Sequence, residues 1–125
     1  MNAPRVLVVD DEVDFADTLC KMLRRRGMEV TACRAADEAL WVLQGAAYDV
    51  VLLDLKMPGL SGTDCLPTIR RIAPETPVIL LTGHLAVEDE RKALEAGAYA
   101  YLFKPHPFED LFARITEAVQ RRPHP

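Results

Sequence analysis

Five short apolar runs alternate along this chain with longer segments of helical period, and that alternation admits few folds. The runs are residues 6–9, 28–33, 48–53, 77–81 and 101–103. Each is too short for an ordinary helix, so each reads as a strand. Strands of that kind, separated by helices, build a parallel sheet covered on both sides. The expected fold class is α/β, a doubly wound sheet of five parallel strands.

The intervening segments carry helical stripes. Phe15, Leu19, Met22 and Leu23 share one face, and Gly27 offers the left-handed residue that ends a helix over about residues 12–26. Ala36, Ala39, Leu40 and Leu43 repeat at helical spacing, with Gly45 past the end and Trp41 pointing away. The third helix runs through Ile69 and Ile72, and Pro67 predicts a kink or a late start, because proline cannot donate to the carbonyl of Thr63. The fourth, about residues 85–96, is dense in charge and has mainly Ala86, Ala93 and Leu94 to bury, so loose anchoring is expected. The last is the best marked: Phe108, Leu111, Phe112, Ile115 and Val119 line one face, Pro107 suits its first turn, Arg121 and Arg122 complement its C-terminal dipole, and Pro123 stops it.

A chain of 125 residues suits one core, so residues 1–125 are expected to form a single domain, with 118–125 as the end of the last helix plus a short tail or the start of a linker. The formal charge of −4 argues against the basic surface that nucleic-acid binding requires, and no direct contact with nucleic acid is expected. No run approaches the roughly 18 apolar residues that span a bilayer, and the N-terminus has no signal-peptide pattern. Cys20, Cys33 and Cys65 lie in apolar periodicity and read as reduced small hydrophobes. A cytoplasmic protein without membrane contact is the expectation.

The ends of the runs carry the chemistry. Asp10 and Asp11 close the first, Asp54 the third, Thr82 the fourth and Lys104 the fifth. The strand order 2-1-3-4-5, taken from the known doubly wound arrangements, puts the reversal between strands one and three, where such sheets bind ligands. Asp10, Asp11 and Asp54 then meet, with Thr82 and Lys104 along the same edge. Carboxylates so close cannot all stay ionised without a counter-charge, and an all-oxygen set with room for water and phosphate favours Mg²⁺. Ammonium, hydroxyl and cation around one carboxylate suit a phosphoryl group, with Asp54 the best-placed nucleophile and Asp10 and Asp11 holding the metal.

These motifs resemble the receiver domain of bacterial two-component response regulators, a flavodoxin-like fold. The matching stretches are Asp10-Asp11-Glu12, Leu52-Leu53-Asp54-Leu55-Lys56-Met57-Pro58-Gly59, Leu81-Thr82-Gly83 and Tyr101-Leu102-Phe103-Lys104-Pro105. The resemblance implies that Asp54 accepts a phosphoryl group from a sensor histidine kinase or histidine phosphotransfer domain. It implies Mg²⁺ held by Asp11, Asp54 and the backbone carbonyl of Lys56, with Asp10 acting through water. Thr82 and Tyr101 would be the switch pair that alters the surface of helix four, strand five and helix five, and the Lys104-Pro105 peptide would be cis. Output would pass to a partner protein or an attached effector domain, and a homodimer on phosphorylation is compatible with the family. The domain would catalyse only its own phosphorylation and dephosphorylation. His106-Pro107 departs from the family, which often has an aromatic residue there, and Lys56 and His84 would flank the phosphoryl entrance as a basic pair that sets phosphoryl lifetime.

Blander readings attach to single residues. Asp10 and Asp11 could cap the first helix, Thr82 could be a plain strand end, Lys104 a solvated charge, Tyr101 a half-buried aromatic, and Trp41 a tolerated surface ring. His84, His106 and His124 are too scattered in the sequence to mark a metal site. Three rival functions share parts of the pattern. A haloacid dehalogenase phosphatase wants an acid where Lys56 stands, and a flavin binder would meet repulsion from Asp10-Asp11-Glu12. A phosphorylation-independent interaction module on this fold stays open.

Overall fold

The computed structural model describes residues 3–55, 57, 62–83 and 87–121, without the side chains of residues 62, 63 and 87–89. Its elements are β1 (Arg5–Val9), α1 (Val13–Arg25), β2 (Glu29–Cys33), α2 (Ala36–Gly45), β3 (Val50–Leu53), α3 (Gly62–Ile72), β4 (Val78–Thr82), α4 (Val87–Glu95), β5 (Ala100–Phe103) and α5 (Phe108–Arg121). The strands pair in parallel in the order β2-β1-β3-β4-β5, as expected.

Alternation along each strand divides the core in two. Leu7, Val9, Val51, Leu53, Val78, Leu80 and Tyr101 face α2, α3 and the buried Ala93 of α4. Val6, Val8, Val50, Leu52, Ile79, Leu81, Ala100 and Leu102 face α1 and α5. Because the side-chain period of a strand is two, one run of apolar residues feeds both layers, which is why the central strands show no polar alternation. Each fully buried leucine or isoleucine contributes about 1.5–3 kcal/mol of transfer free energy.

The helix boundaries follow local chemistry. Gly27, at φ 90°, turns the chain out of α1 into β2, and Gly97, at φ 105°, does the same between α4 and β5. Arg26 then ties the end of α1 to α5: its guanidinium pairs with Glu109 and lies 4.6 Å from the Phe112 ring centroid.

Four expectations need correction. α3 starts at Gly62, well before Pro67, and continues through it, so no late start occurs. One missing backbone bond is outweighed there by the burial of Cys65, Leu66 and Ile69. Leu94 is 44% exposed although Ala93 beside it is buried. Neighbours on a helix point about 100° apart, and the small Ala93 is the one that lets α4 approach the sheet. Gly45 is the last residue of α2, and the chain leaves through an extended Ala46. In α1 the buried face is Ala16, Leu19, Cys20 and Leu23, with Phe15 and Met22 at its edge. Trp41 is 77% exposed, as its phase predicts. Ala86, Arg122 and Pro123 lie outside the described residues.

Candidate functional site

Three residues beyond the strand ends are pinned by the sheet itself. The amide of Asp10 donates to the carbonyl of Cys33 at 2.9 Å, that of Asp54 to Val9 at 2.9 Å, and that of Lys104 to Thr82 at 2.7 Å. Each bond extends a ladder by one step, so these side chains leave from rigid backbone at one edge of the sheet.

They converge on the Lys104 ammonium. Its Nζ stands 2.7 Å from Asp10 Oδ2, 3.0 Å from Glu12 Oε1 and 3.3 Å from Asp54 Oδ2. The lysine side chain is only 8% exposed, and Asp10 and Asp54 are buried with it. The ring of Phe15 lies beneath the ammonium, its centroid 4.6 Å from Nζ. Burial lowers the proton affinity of Lys104, but its hydrogen bonds to Asp10 and Glu12 outweigh this and raise it above the ordinary lysine value. Burial pushes the Asp10 carboxyl upward, a rise that Lys104 and the amide of Glu12 only partly oppose. The amide of Glu12 donates to Asp10 Oδ1 at 2.9 Å, closing the turn into α1. The N-cap residue of α1, Glu12, makes no side-chain capping bond.

Carboxylate oxygens of Asp10, Glu12 and Asp54 lie within 4.8 Å of one another, an acidic group that could hold a metal ion. The donor set fits a hard divalent cation, because it is all oxygen and two of its members are buried where uncompensated charge is costly. Asp11, half-buried beside them, is not among these three. Thr82 is buried at the end of β4, and Tyr101 is buried with its ring edge-on to Phe103, centroids 5.5 Å apart. The Lys104-Pro105 peptide is cis, as the resemblance implies. His106 pairs with Asp110 in the first turn of α5. Lys56, His84 and His124, with the entrance roles assigned to the first two, lie outside the described residues.

Reading the sequence missed two members of this site. Glu12 has no role by strand-end position; only the length of its side chain, which lets it reach back to Lys104, signals one. Phe15 was read as part of the buried face of the first helix; nothing in its spacing marks it as the floor under Lys104.

Buried acids and an ammonium at the carboxyl edge of a doubly wound sheet form a site suited to a phosphoryl group. Residues 6–116 match the family model for the response regulator receiver domain. The chain is 40% identical over 116 residues to the sensory transduction protein RegX3 of Mycobacterium tuberculosis, covering 93% of this chain and 51% of that protein. The structure of a CheY-like response regulator receiver domain protein from Methanospirillum hungatei aligns at a TM-score of 0.92, with 31% identity and 95% of each chain covered. A Burkholderia pseudomallei response regulator solved with a phosphorylated aspartic acid, a calcium ion and citrate aligns at 0.86, with 30% identity over 94% of this chain and 69% of that one. The chain belongs to the response regulator receiver domain family, and accepting a phosphoryl group in two-component signalling is its function. It spans about half the length of the curated relatives it matches. Among the described residues, no helix is long and apolar enough to cross a membrane.

Proposed function

We propose that Asp54 is the phosphoacceptor and that residues 1–125 act as one switch domain. The observation that carries this is the buried ammonium of Lys104 at 3.3 Å from Asp54 and 2.7 Å from Asp10. A carboxylate held beside a lysine at a sheet edge can attack phosphorus in line while the ammonium neutralises an equatorial oxygen. The Asp54 Oδ–P bond forms as the bond from phosphorus to the donor's histidine nitrogen breaks, and the electron pair of that bond stays on the imidazole. Thr82 would then bond the phosphoryl group, and Tyr101 would report its move to the surface of α4, β5 and α5.

Asp10, Asp11, Asp54 and the backbone carbonyl of Lys56 would hold Mg²⁺, with Asp10 acting through water. When bound, the ion would supply charge neutralisation on the transferring oxygens. The donor would be a sensor histidine kinase or histidine phosphotransfer domain in the cytoplasm, and the recipient an output protein or an attached effector domain, with a homodimer as one route of output. The domain would turn over no external metabolite, only its own phosphoryl group. Intact-mass measurement after incubation with a small phosphodonor and Mg²⁺ tests this: an adduct forms on wild type and is absent from Asp54→Ala. An adduct of equal yield on the variant would refute the assignment.

A further inference from the structure

Glu12 does something that neither its position nor the acidic motif requires. It stands at the N-cap of α1, where a carboxylate commonly accepts from helix amides, yet its side chain makes no capping bond. Instead it accepts from Lys104 Nζ at 3.0 Å. Three carboxylates thus share one ammonium, and they differ in what each would lose by leaving. Asp10 and Asp54 are buried and fixed by backbone bonds to Cys33 and Val9. Glu12 is 63% exposed, so releasing Lys104 delivers its charge to water. On transfer one phosphoryl oxygen takes over the contact of the esterified Asp54, and with Phe15 beneath the ammonium a second can bond Lys104 only in the place of Asp10 or Glu12. Glu12 is the partner with the least to lose.

We propose that Glu12 is the exchangeable partner of Lys104: it shares the ammonium while Asp54 is bare and yields that place to a phosphoryl oxygen at transfer. Glu12 is then a positioning residue whose charge, standing at the solvent side of the site, opposes the approach of an anionic donor. This rests on Asp54 as acceptor and Lys104 as its cation. With acetyl phosphate, the Asp54 Oδ–P bond forms as the bond to acetate breaks and acetate leaves with the electron pair. With phosphoramidate, whose nitrogen is already protonated, ammonia leaves. Lys104 keeps its proton in both cases.

The two donors differ by one negative charge at neutral pH, and that difference gives the test. Phosphorylation rates are measured by intact mass on the full chain, at saturating Mg²⁺ and low ionic strength, for wild type, Glu12→Gln and Asp14→Asn. Glu12→Gln is expected to raise the ratio of the acetyl phosphate rate to the phosphoramidate rate by roughly threefold, the effect of one screened charge a few ångströms from another. Asp14→Asn removes an exposed acid that is not among the carboxylate partners of Lys104, and leaves the ratio unchanged. A second readout needs no donor: in the metal-free protein the Lys104 ammonium signal in the proton–nitrogen spectrum moves in Glu12→Gln. An unchanged ratio in Glu12→Gln, an equal shift in Asp14→Asn, or an unmoved lysine signal overturns the proposal while leaving Asp54 as acceptor. No adduct on wild type overturns both.

Discussion

Replacing Lys104 by methionine keeps an unbranched side chain over Phe15 but removes the charge that three acids share. At an effective dielectric near 20, the gross attraction is about 6 kcal/mol for the 2.7 Å contact with Asp10 and about 5 kcal/mol for the 3.3 Å contact with Asp54. The net loss is smaller, since a proton can replace the ammonium. Neutralising an aspartate of ordinary pKa at pH 7 costs about 4 kcal/mol, and that sets the ceiling. Breaking a buried pair by removing one partner costs a similar ~3–5 kcal/mol. Asp10 is the acid that takes the proton, because burial already raises its affinity and removing Lys104 raises it further. A carboxyl whose folded pKa lies above its unfolded value contributes stability below the unfolded value and loses it as pH rises through the folded one. The deficit of Lys104→Met is therefore greatest near neutrality and shrinks on the way to pH 5, by at most about 1.4 kcal/mol per pH unit. Urea unfolding of both proteins at pH 7 and pH 5 measures it. An equal deficit at the two pH values would refute the argument, as would a loss below about 1 kcal/mol at pH 7.

Three other perturbations separate backbone, core and thiol effects. Gly97→Ala places a Cβ 3.2 Å from Arg70 Nε at φ 105°, whereas Gly27→Ala at φ 90° meets nothing within 4 Å; unfolding should show about 1 kcal/mol lost at Gly27 and more at Gly97. Leu80→Ala empties a fully buried position paired with Tyr101 and Leu53, and should cost about 2–5 kcal/mol in a denaturant titration. All three thiols are buried, and burial pushes Cys33 up to about 12 and Cys65 up to about 11, so native protein should resist a thiol-specific disulfide reagent until urea unfolds it.

The fold was legible because β1, β3, β4 and β5 declare themselves as short runs buried on both faces, and a parallel sheet allows few orders; β2, at the edge, buries only Cys33. Gly27 marked its turn for a reason of backbone geometry, since only a residue without Cβ takes φ 90° freely. Where the reading failed, a local rule met a tertiary one. Pro67 costs one bond, but α3 also buries Ile69 and Leu66, and packing prevailed. Leu94 looked like core by composition, yet the sheet selected Ala93. Asp10, Asp54 and Lys104 meet because the ends of β1, β3 and β5 lie along the same edge of the sheet. Glu12 was not legible, since the reach of a side chain across the turn is not written in strand periodicity.

The same backbone that fixes the acids also links them to the residues expected to signal. Lys104 donates its amide to the carbonyl of Thr82, and Thr82 is in register with Phe103, whose ring packs against Tyr101. One hydrogen bond and one ring contact therefore lie between the shared ammonium and the aromatic face of β5. Before any phosphoryl group arrives, a buried Asp10 with raised proton affinity, an exposed Glu12 and Asp54 already share one ammonium. A dianion added to Asp54 must redistribute that cation, and the redistribution acts on a side chain whose main chain is bonded to Thr82. Among the described residues one ammonium serves three acids, so a phosphoryl group on Asp54 that bonds Lys104 changes the partners of that ammonium, and such an exchange is suited to switching.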